Sequence, residues 1–191
     1  MGLGLKHGMA ELSMHTSEWK IYADEIIKQL WNILGTVAND IQHVGSTSIH
    51  NIKAKPVIDI AVSVSSFEKV LELSPIMEQN GFIFIGWEGK DEKQPVYQCG
   101  EYVPGEKNMK VLTHYIKIKK KDSQEWNNLV NFRDYMNTFP NAASKYEALK
   151  MELAEKYKDD YRSYHQGKTS FIIEMIATAN RWNDSGRGNC P

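Results

Sequence analysis

Val57, Ile58, Asp59, Ile60, Ala61, Val62, Ser63 and Val64 form a nearly unbroken β-branched and apolar run. Such a run suits a central strand covered on both faces, so the chain needs a sheet with material packed against each side. Asp59 interrupts the pattern. A carboxylate inside an apolar strand is costly unless a cation or a hydrogen-bond donor meets it. Upstream stand His43, Val44, Gly45, Ser46, Thr47 and Ser48. Glycine allows a tight turn and a close approach of backbone to a ligand. Small hydroxyl residues after it can cap a helix whose free N–H groups favour an anion. A phosphate cradle followed by a carboxylate is the form a nucleotide-handling site takes. The plainer reading is a structural turn, with Asp59 paired to Lys55 or to a nearby histidine.

Periodicity supplies the rest of the framework. Trp19, Tyr22, Ala23, Ile26, Ile27, Leu30, Ile33 and Leu34 fall three and four apart, which predicts a helix capped by Ser17 and stopped by Gly35. A second helix is expected over 66–79, shortened by Pro75. Strands are expected over 81–85, 96–103 and 111–118, with a charged loop over 88–93. The last two strands join through Pro104, Gly105, Glu106, Lys107 and Asn108, a turn-rich hairpin. Strict alternation in the last strand puts Val111, Thr113, Tyr115 and Lys117 on one face and Leu112, His114, Ile116 and Ile118 on the other. After Asp122 three helical faces follow: Trp126, Leu129, Val130, Arg133 and Met136; then Tyr146, Leu149, Leu153 and Tyr157; then Phe171, Ile172, Met175, Ile176 and Ala179. The expectation is an α+β fold: a loose segment over 1–14, one domain over 15–182 whose part from about 122 is helical, and a flexible tail over 183–191.

At 191 residues the chain is long enough for one well-packed domain. A net charge of −1 gives no global field toward nucleic acid or membrane. No apolar run reaches transmembrane length, and no basic segment leads into an apolar core at the N-terminus. Cys99 and Cys190 are the only cysteines, and one lies in the extreme tail. No disulfide framework is expected, and a cytoplasmic protein is the simplest reading.

Several side chains are candidates for chemistry. Gly45, Ser46 and Ser48 are the phosphate candidates. Asp59 is the metal candidate, since Mg²⁺ in phosphoryl-transfer sites takes one or two carboxylates plus phosphates and water. His43 and His114 could face the same site, although a lone strand histidine is more often a satisfied core residue, and His43 could orient the turn by a hydrogen bond. Gly167, Lys168 and Thr169 resemble the end of a P-loop, but the motif needs glycine where Arg162 stands and a strand before it. Arg133 with Asp134 reads as a structural pair or as a guanidinium reaching a phosphate. Lys117, Lys119, Lys120 and Lys121 read as a solvated basic face.

Five segments also carry a family resemblance: Ser17, Glu18 and Trp19; the segment from His43 to Ser48; Lys55, Pro56, Val57, Ile58, Asp59 and Ile60; Phe132, Arg133, Asp134 and Tyr135; and Tyr164, His165, Gln166, Gly167, Lys168 and Thr169. In this order they resemble the GrpB family, which is assigned to the nucleotidyltransferase superfamily that includes DNA polymerase beta. The likeness runs over about 11–179. It implies a small mixed sheet with an N-terminal helix and a helical C-terminal part. It also implies binding of a nucleoside triphosphate with Mg²⁺, weak without nucleotide, and transfer of a nucleotidyl group to an unidentified acceptor. The alternative is a catalytically degenerate nucleotide-binding or interaction module on the same fold. Carried onto this chain, Asp59 and His114 would be catalytic, with Asp59 also the metal ligand. Gly45, Ser46, Ser48, Lys55 and Lys168 would hold phosphates. The chain departs from the pattern at Ala61, where the superfamily places a second carboxylate, at Gln42, commonly Glu, and at Lys117, where a second histidine is usual.

Overall fold

The computed structural model describes residues 2–6, 8–89, 92–103 and 109–187. Its strands are β1 (Leu5–Lys6), β2 (Ala38–Val44), β3 (Ile58–Val64), β4 (Ile83–Glu88), β5 (Gln94–Glu101) and β6 (Val111–Lys120). They form one mixed sheet in the order β2-β3-β6-β5-β4. The apolar run is β3, second from the edge, antiparallel to β2 and parallel to β6. The α+β expectation is met.

Both faces of β3 are covered. Ile58, Ile60, Val62 and Val64 point into the main core. There they meet Trp19, Ala23, Leu30 and Leu34 of α1 (Glu18–Leu34). Phe67 and Val70 of α2 (Phe67–Glu72) and Met77 of α3 (Ser74–Gln79) close the same layer. On the opposite face Ala61 packs with Val44 and with Trp126 of α4 (Gln124–Thr138). The rest of the second layer is α5 (Pro140–Lys156), α6 (Tyr161–Gly167) and α7 (Thr169–Asp184).

Several boundaries differ from expectation. Ser17 does not cap α1 with its side chain; the Thr16 hydroxyl accepts from the Glu18 N–H instead, at 3.3 Å. The 66–79 helix breaks at Leu73, with Pro75 in the first turn of the second piece. Strand β2 was not foreseen, because Asn39, Asp40 and Gln42 dilute its pattern on an edge that tolerates polar side chains. The 104–108 turn lies outside the described residues.

Described residues of the segment expected to be loose are tied to the sheet by backbone bonds. Leu5 and Lys6 pair with Leu112 and Val111 of β6. The Gly4 N–H donates to the Pro56 carbonyl at 2.8 Å, and Ser13 and Ala54 exchange two backbone bonds at 2.8 and 3.0 Å. Aperiodic sequence hides this anchoring, because backbone bonds carry it. At the other end α7 runs to Asp184. Arg187 reaches Asp134 at 3.1 Å and lies over the Trp182 ring. The stretch expected to be a flexible tail thus makes these contacts as far as Arg187; residues 188–191, Cys190 among them, lie outside the described residues.

Polar staples hold the helical layer on the sheet. Asn137 donates to the Ser48 carbonyl and accepts from the His50 N–H, both at 2.9 Å. Glu147 accepts from the Lys53 N–H at 2.6 Å, and the buried Lys150 ammonium donates to the Lys53 carbonyl. Asn131 donates to Asn180 at 2.9 Å, and Asn180 donates to Asn128 at 2.7 Å, joining α4 to α7. Asn131 is 7% exposed. Losing its partner leaves a buried amide unsatisfied, so Asn180→Ala should lower stability by about 1–3 kcal/mol in urea denaturation.

Candidate functional site

The β2–β3 connection builds the floor of the site. Gly45 follows β2 with φ 72° and ψ −168°, a conformation that only glycine adopts without strain. A Cβ there would lie 2.5 Å from Asp59 Oδ2. Backbone and carboxylate therefore touch because residue 45 has no side chain. The next residues close a 3₁₀ turn (Ser46–Ser48). Ser48 donates its hydroxyl to the Gly45 carbonyl at 2.7 Å, and His43 Nε2 meets Thr47 Oγ1 at 2.9 Å. Ser46 Oγ sits 3.1 Å from the Tyr146 hydroxyl.

Among the described residues Asp59 makes one ion pair, with Lys117, whose Nζ is 3.1 Å from Oδ1. The parallel register sets Asp59 opposite Tyr115 and Ala61 opposite Lys117, so all four share one face. Burial works against the Lys117 ammonium, but Asp59 and then Glu88 outweigh it and hold its pKa above the usual lysine range.

Above this floor the C-terminal helices enclose a cavity of about 380 Å³. Gly45, Ser46, Asp59, Lys117 and Glu88 line one side. Tyr115, Tyr146, Tyr161 and Tyr164 supply aromatic walls, and Lys55, His165 and Lys168 add nitrogen groups. Tyr146 stacks on Phe171 at 5.6 Å, which fixes that wall. Lys55 Nζ lies 4.1 Å from the Tyr161 ring centre and 5.7 Å from that of Tyr164. Lys168 Nζ lies 5.1 Å from the Tyr164 ring centre. Burial, and then the neighbouring Lys168 charge, push the Lys55 pKa down to about 7. The same two causes bring Lys150 to about 7 and lower His165.

Five expected site residues thus meet in one cavity: Gly45, Ser46, Lys55, Asp59 and Lys168. Two do not. Ser48 spends its hydroxyl on the turn. His114 pairs with Ile58, so it shares the core face of β6 and turns away from the cavity. Burial lowers its pKa to about 4, and its Nδ1 sits 3.0 Å from Thr113 Oγ1. His43 pairs with Ile60 on that same core face, where it orients the turn through Thr47. Arg133 is structural: it pairs with Asp134 at 2.7 Å and donates to Gln42 Oε1 at 2.7 Å and the His43 carbonyl at 3.0 Å. Gly167 ends α6, after a helix rather than a strand, and packs on Leu153.

The basic run is a solvated face only in part: Lys121 is exposed, whereas Lys117 and Lys119 are not. Lys117 lines the cavity, and Lys119 is 6% exposed, held by Glu88 and by Gln94 at 2.5 Å. Leu112 also lines the cavity, which strict alternation did not allow; the β5–β6 pairing shifts register between Cys99 and Gly100. Burial pushes the Cys99 thiol up to about 12, which leaves it unreactive. The tyrosine wall had one legible signal: Tyr161, Tyr164, His165 and Lys168 have the spacing of a single helix face.

The residues present do not fit a divalent cation at Asp59. Its Oδ1 faces an ammonium, and Ala61 is fully buried against Trp126 where a second carboxylate would project. Among the described residues no group of three or more His, Cys, Asp or Glu side chains could hold a metal. No described helix is long and apolar enough to cross a membrane.

The sheet, its flanking helix and the Gly-Ser turn ahead of the Asp strand define a nucleotidyltransferase-like fold. Cid1 in complex with the UTP analogue UMPNPP shares that fold, with TM-score 0.50 and 13% identity over 81% of this chain and 48% of that one. The GrpB protein family model matches residues 9–178, and the chain belongs to the GrpB family. The glutamate-rich protein GrpB of Alkalihalophilus pseudofirmus is 34% identical over 91% of this chain and 98% of its own length. YqkA of Bacillus subtilis is 32% identical over 94% of this chain, which spans 49% of that protein. The crystal structure of the conserved protein GrpB from Enterococcus faecalis superposes with TM-score 0.79 at 29% identity, covering 90% of this chain and 98% of that one.

The Gly45–Asp59 contact makes the floor intolerant of any side chain at position 45. Gly45→Ala should cost about 1–3 kcal/mol from backbone strain alone, and more from the displaced Asp59. A melting temperature equal to that of the parent protein would contradict this geometry.

Proposed function

We propose that the cavity binds a nucleoside triphosphate, with its phosphates against Gly45 and Ser46 and between Lys55 and Lys168, and its base among the tyrosines. The observation that carries this reading is a pair of ammonium groups that form no ion pair with any described carboxylate. Among the described residues neither Lys55 nor Lys168 makes an ion pair, although both stand at the Tyr164 ring. Like charges in a half-buried pocket repel, and a polyanion placed between them relieves both the repulsion and the burial cost. Phosphate oxygens accept charge-assisted hydrogen bonds from ammonium groups. Tyrosine rings give a base a stacking surface without demanding one base in particular. The cavity volume falls in the range of small-molecule sites.

Asp59 at the floor of this fold favours a second reading, transfer of the nucleotidyl group to an acceptor. Lys55 and Lys168 would then neutralise the charge building on the leaving pyrophosphate. Incubation with each nucleoside triphosphate and candidate acceptors, read by mass spectrometry, separates the two: adducts and released pyrophosphate mark transfer, and unchanged nucleotide marks a binding module.

Calorimetry and thermal shift with ATP should show binding that stabilises the fold, by about 2.7 kcal/mol at a hundred-fold excess over Kd. Lys168→Met should weaken that binding about ten-fold, equivalent to ~1.4 kcal/mol. It should raise the ligand-free melting temperature, because it removes the charge that opposes Lys55 and Lys150. Early melting with normal binding would make Lys168 structural.

The depressed pKa of Lys55 gives a pH signature. The free lysine is charged below about 7, and bound phosphate raises its pKa above that value. Binding therefore takes up a proton, and affinity falls as pH rises from about 7 toward the pKa of the complex. Calorimetry in buffers of different ionisation enthalpy should register that uptake. Lys55→Arg, charged throughout, should abolish it.

A further inference from the structure

Metal-dependent phosphate sites place a divalent cation between a protein carboxylate and the phosphate oxygens. At the floor of this cavity the corresponding place is beside Asp59, and a side chain of the chain itself is already there. Lys117 Nζ is 3.1 Å from Oδ1, and the two side chains are 22% and 26% exposed. The lysine is not a swinging surface group. Its strand is paired on both sides, with Ala61 opposite it on β3 and Val96 opposite it on β5. Its ammonium lies 5.4 Å from the Tyr115 ring centre. The other oxygen of Asp59 faces the Gly45 backbone closely enough to exclude a Cβ.

This arrangement neutralises Asp59 before any ligand arrives. A divalent cation would have to displace a fixed ammonium or stand beside it, and like charges a few ångström apart in a half-buried site are costly. A phosphate approaching the same floor gains a cation with no ion to recruit. We propose that the floor is closed to divalent metal and that the phosphorylated ligand binds metal-free, with Lys117 fixed on Asp59 in the cation's place. The choice of ligand rests on the nucleotide reading above; the closure to metal does not.

The experiment has two arms on the full chain. In the first, Mn²⁺ is titrated without nucleotide and free Mn²⁺ is followed by electron paramagnetic resonance. The parent protein should take up no Mn²⁺ at millimolar concentration. Lys117→Met should gain one site, and Lys117→Met with Asp59→Asn should lose it. Lys117→Gln, checked for folding by circular dichroism, serves if the methionine variant does not fold. A Mn²⁺ site in the parent protein, abolished by Asp59→Asn, overturns the proposal. In the second arm, ATP binding is measured by calorimetry in EDTA and in excess Mg²⁺. Binding in EDTA should be as tight or tighter, and Lys117→Met should weaken it about ten-fold. Binding that requires Mg²⁺ overturns the proposal and upholds the nucleotide reading. Absence of binding in both buffers overturns the nucleotide reading and with it the metal-free ligand, while the Mn²⁺ arm still decides whether Lys117 closes the floor.

Discussion

The carboxylate of Asp59 is held between the Gly45 backbone and the Lys117 ammonium, and the site is arranged around that contact. On one side it demands a residue without a Cβ, in a backbone conformation other residues adopt only with strain. That conformation starts the tight turn that aims Ser46 at Tyr146 and lets Ser48 close on the Gly45 carbonyl. On the other side it fixes a lysine from the neighbouring parallel strand. An aspartate that would destabilise β3 by itself becomes the joint between the turn, β3 and β6.

The remaining electrostatics run the other way. Burial and the Lys168 charge oppose the Lys55 ammonium, Asp59 offsets them only in part, and aromatic rings are the visible company of both lysines. Cation–π contacts contribute roughly 0.5–2 kcal/mol each. For Lys55 they do not prevent the fall in pKa that burial and a like charge bring about. On the proposed reading, such groups in a cavity are what an anion would meet. The polar staples of Asn137, Glu147 and Lys150 hold the helical layer against the turn, so the cavity is largely formed before a ligand enters.

Much of this was legible in the chain. Strand β3, helix α1, the C-terminal helices and the Gly-Ser turn have strong local patterns, and five of the expected site residues converge. What escaped depends on pairing rather than pattern. Asp59 was expected to hold a metal or, on the plainer reading, to meet Lys55 or a histidine. Lys117 reaches it because β3 and β6 lie parallel in one particular register, which neither strand specifies alone. The same register carries His114 to the core face with Ile58. Strand β2 escaped because Asn39, Asp40 and Gln42 dilute its apolar pattern, and the N-terminal segment because backbone bonds tie it down. The basic run was misread at Lys117 and Lys119, because these alternate lysines enter a strand whose two faces are both covered.

The central claim is that one cavity presents Lys55 and Lys168 to a polyanion. The most direct measurement is ¹⁵N NMR of the lysine side-chain nitrogens, assigned through single-site lysine variants, during addition of a nucleoside triphosphate. The account predicts that the Lys55 and Lys168 resonances move together and saturate at one equivalent, with Lys55 moving toward its charged form. Saturable shifts confined to surface lysines such as Lys20 and Lys28, with Lys55 unmoved, would contradict it.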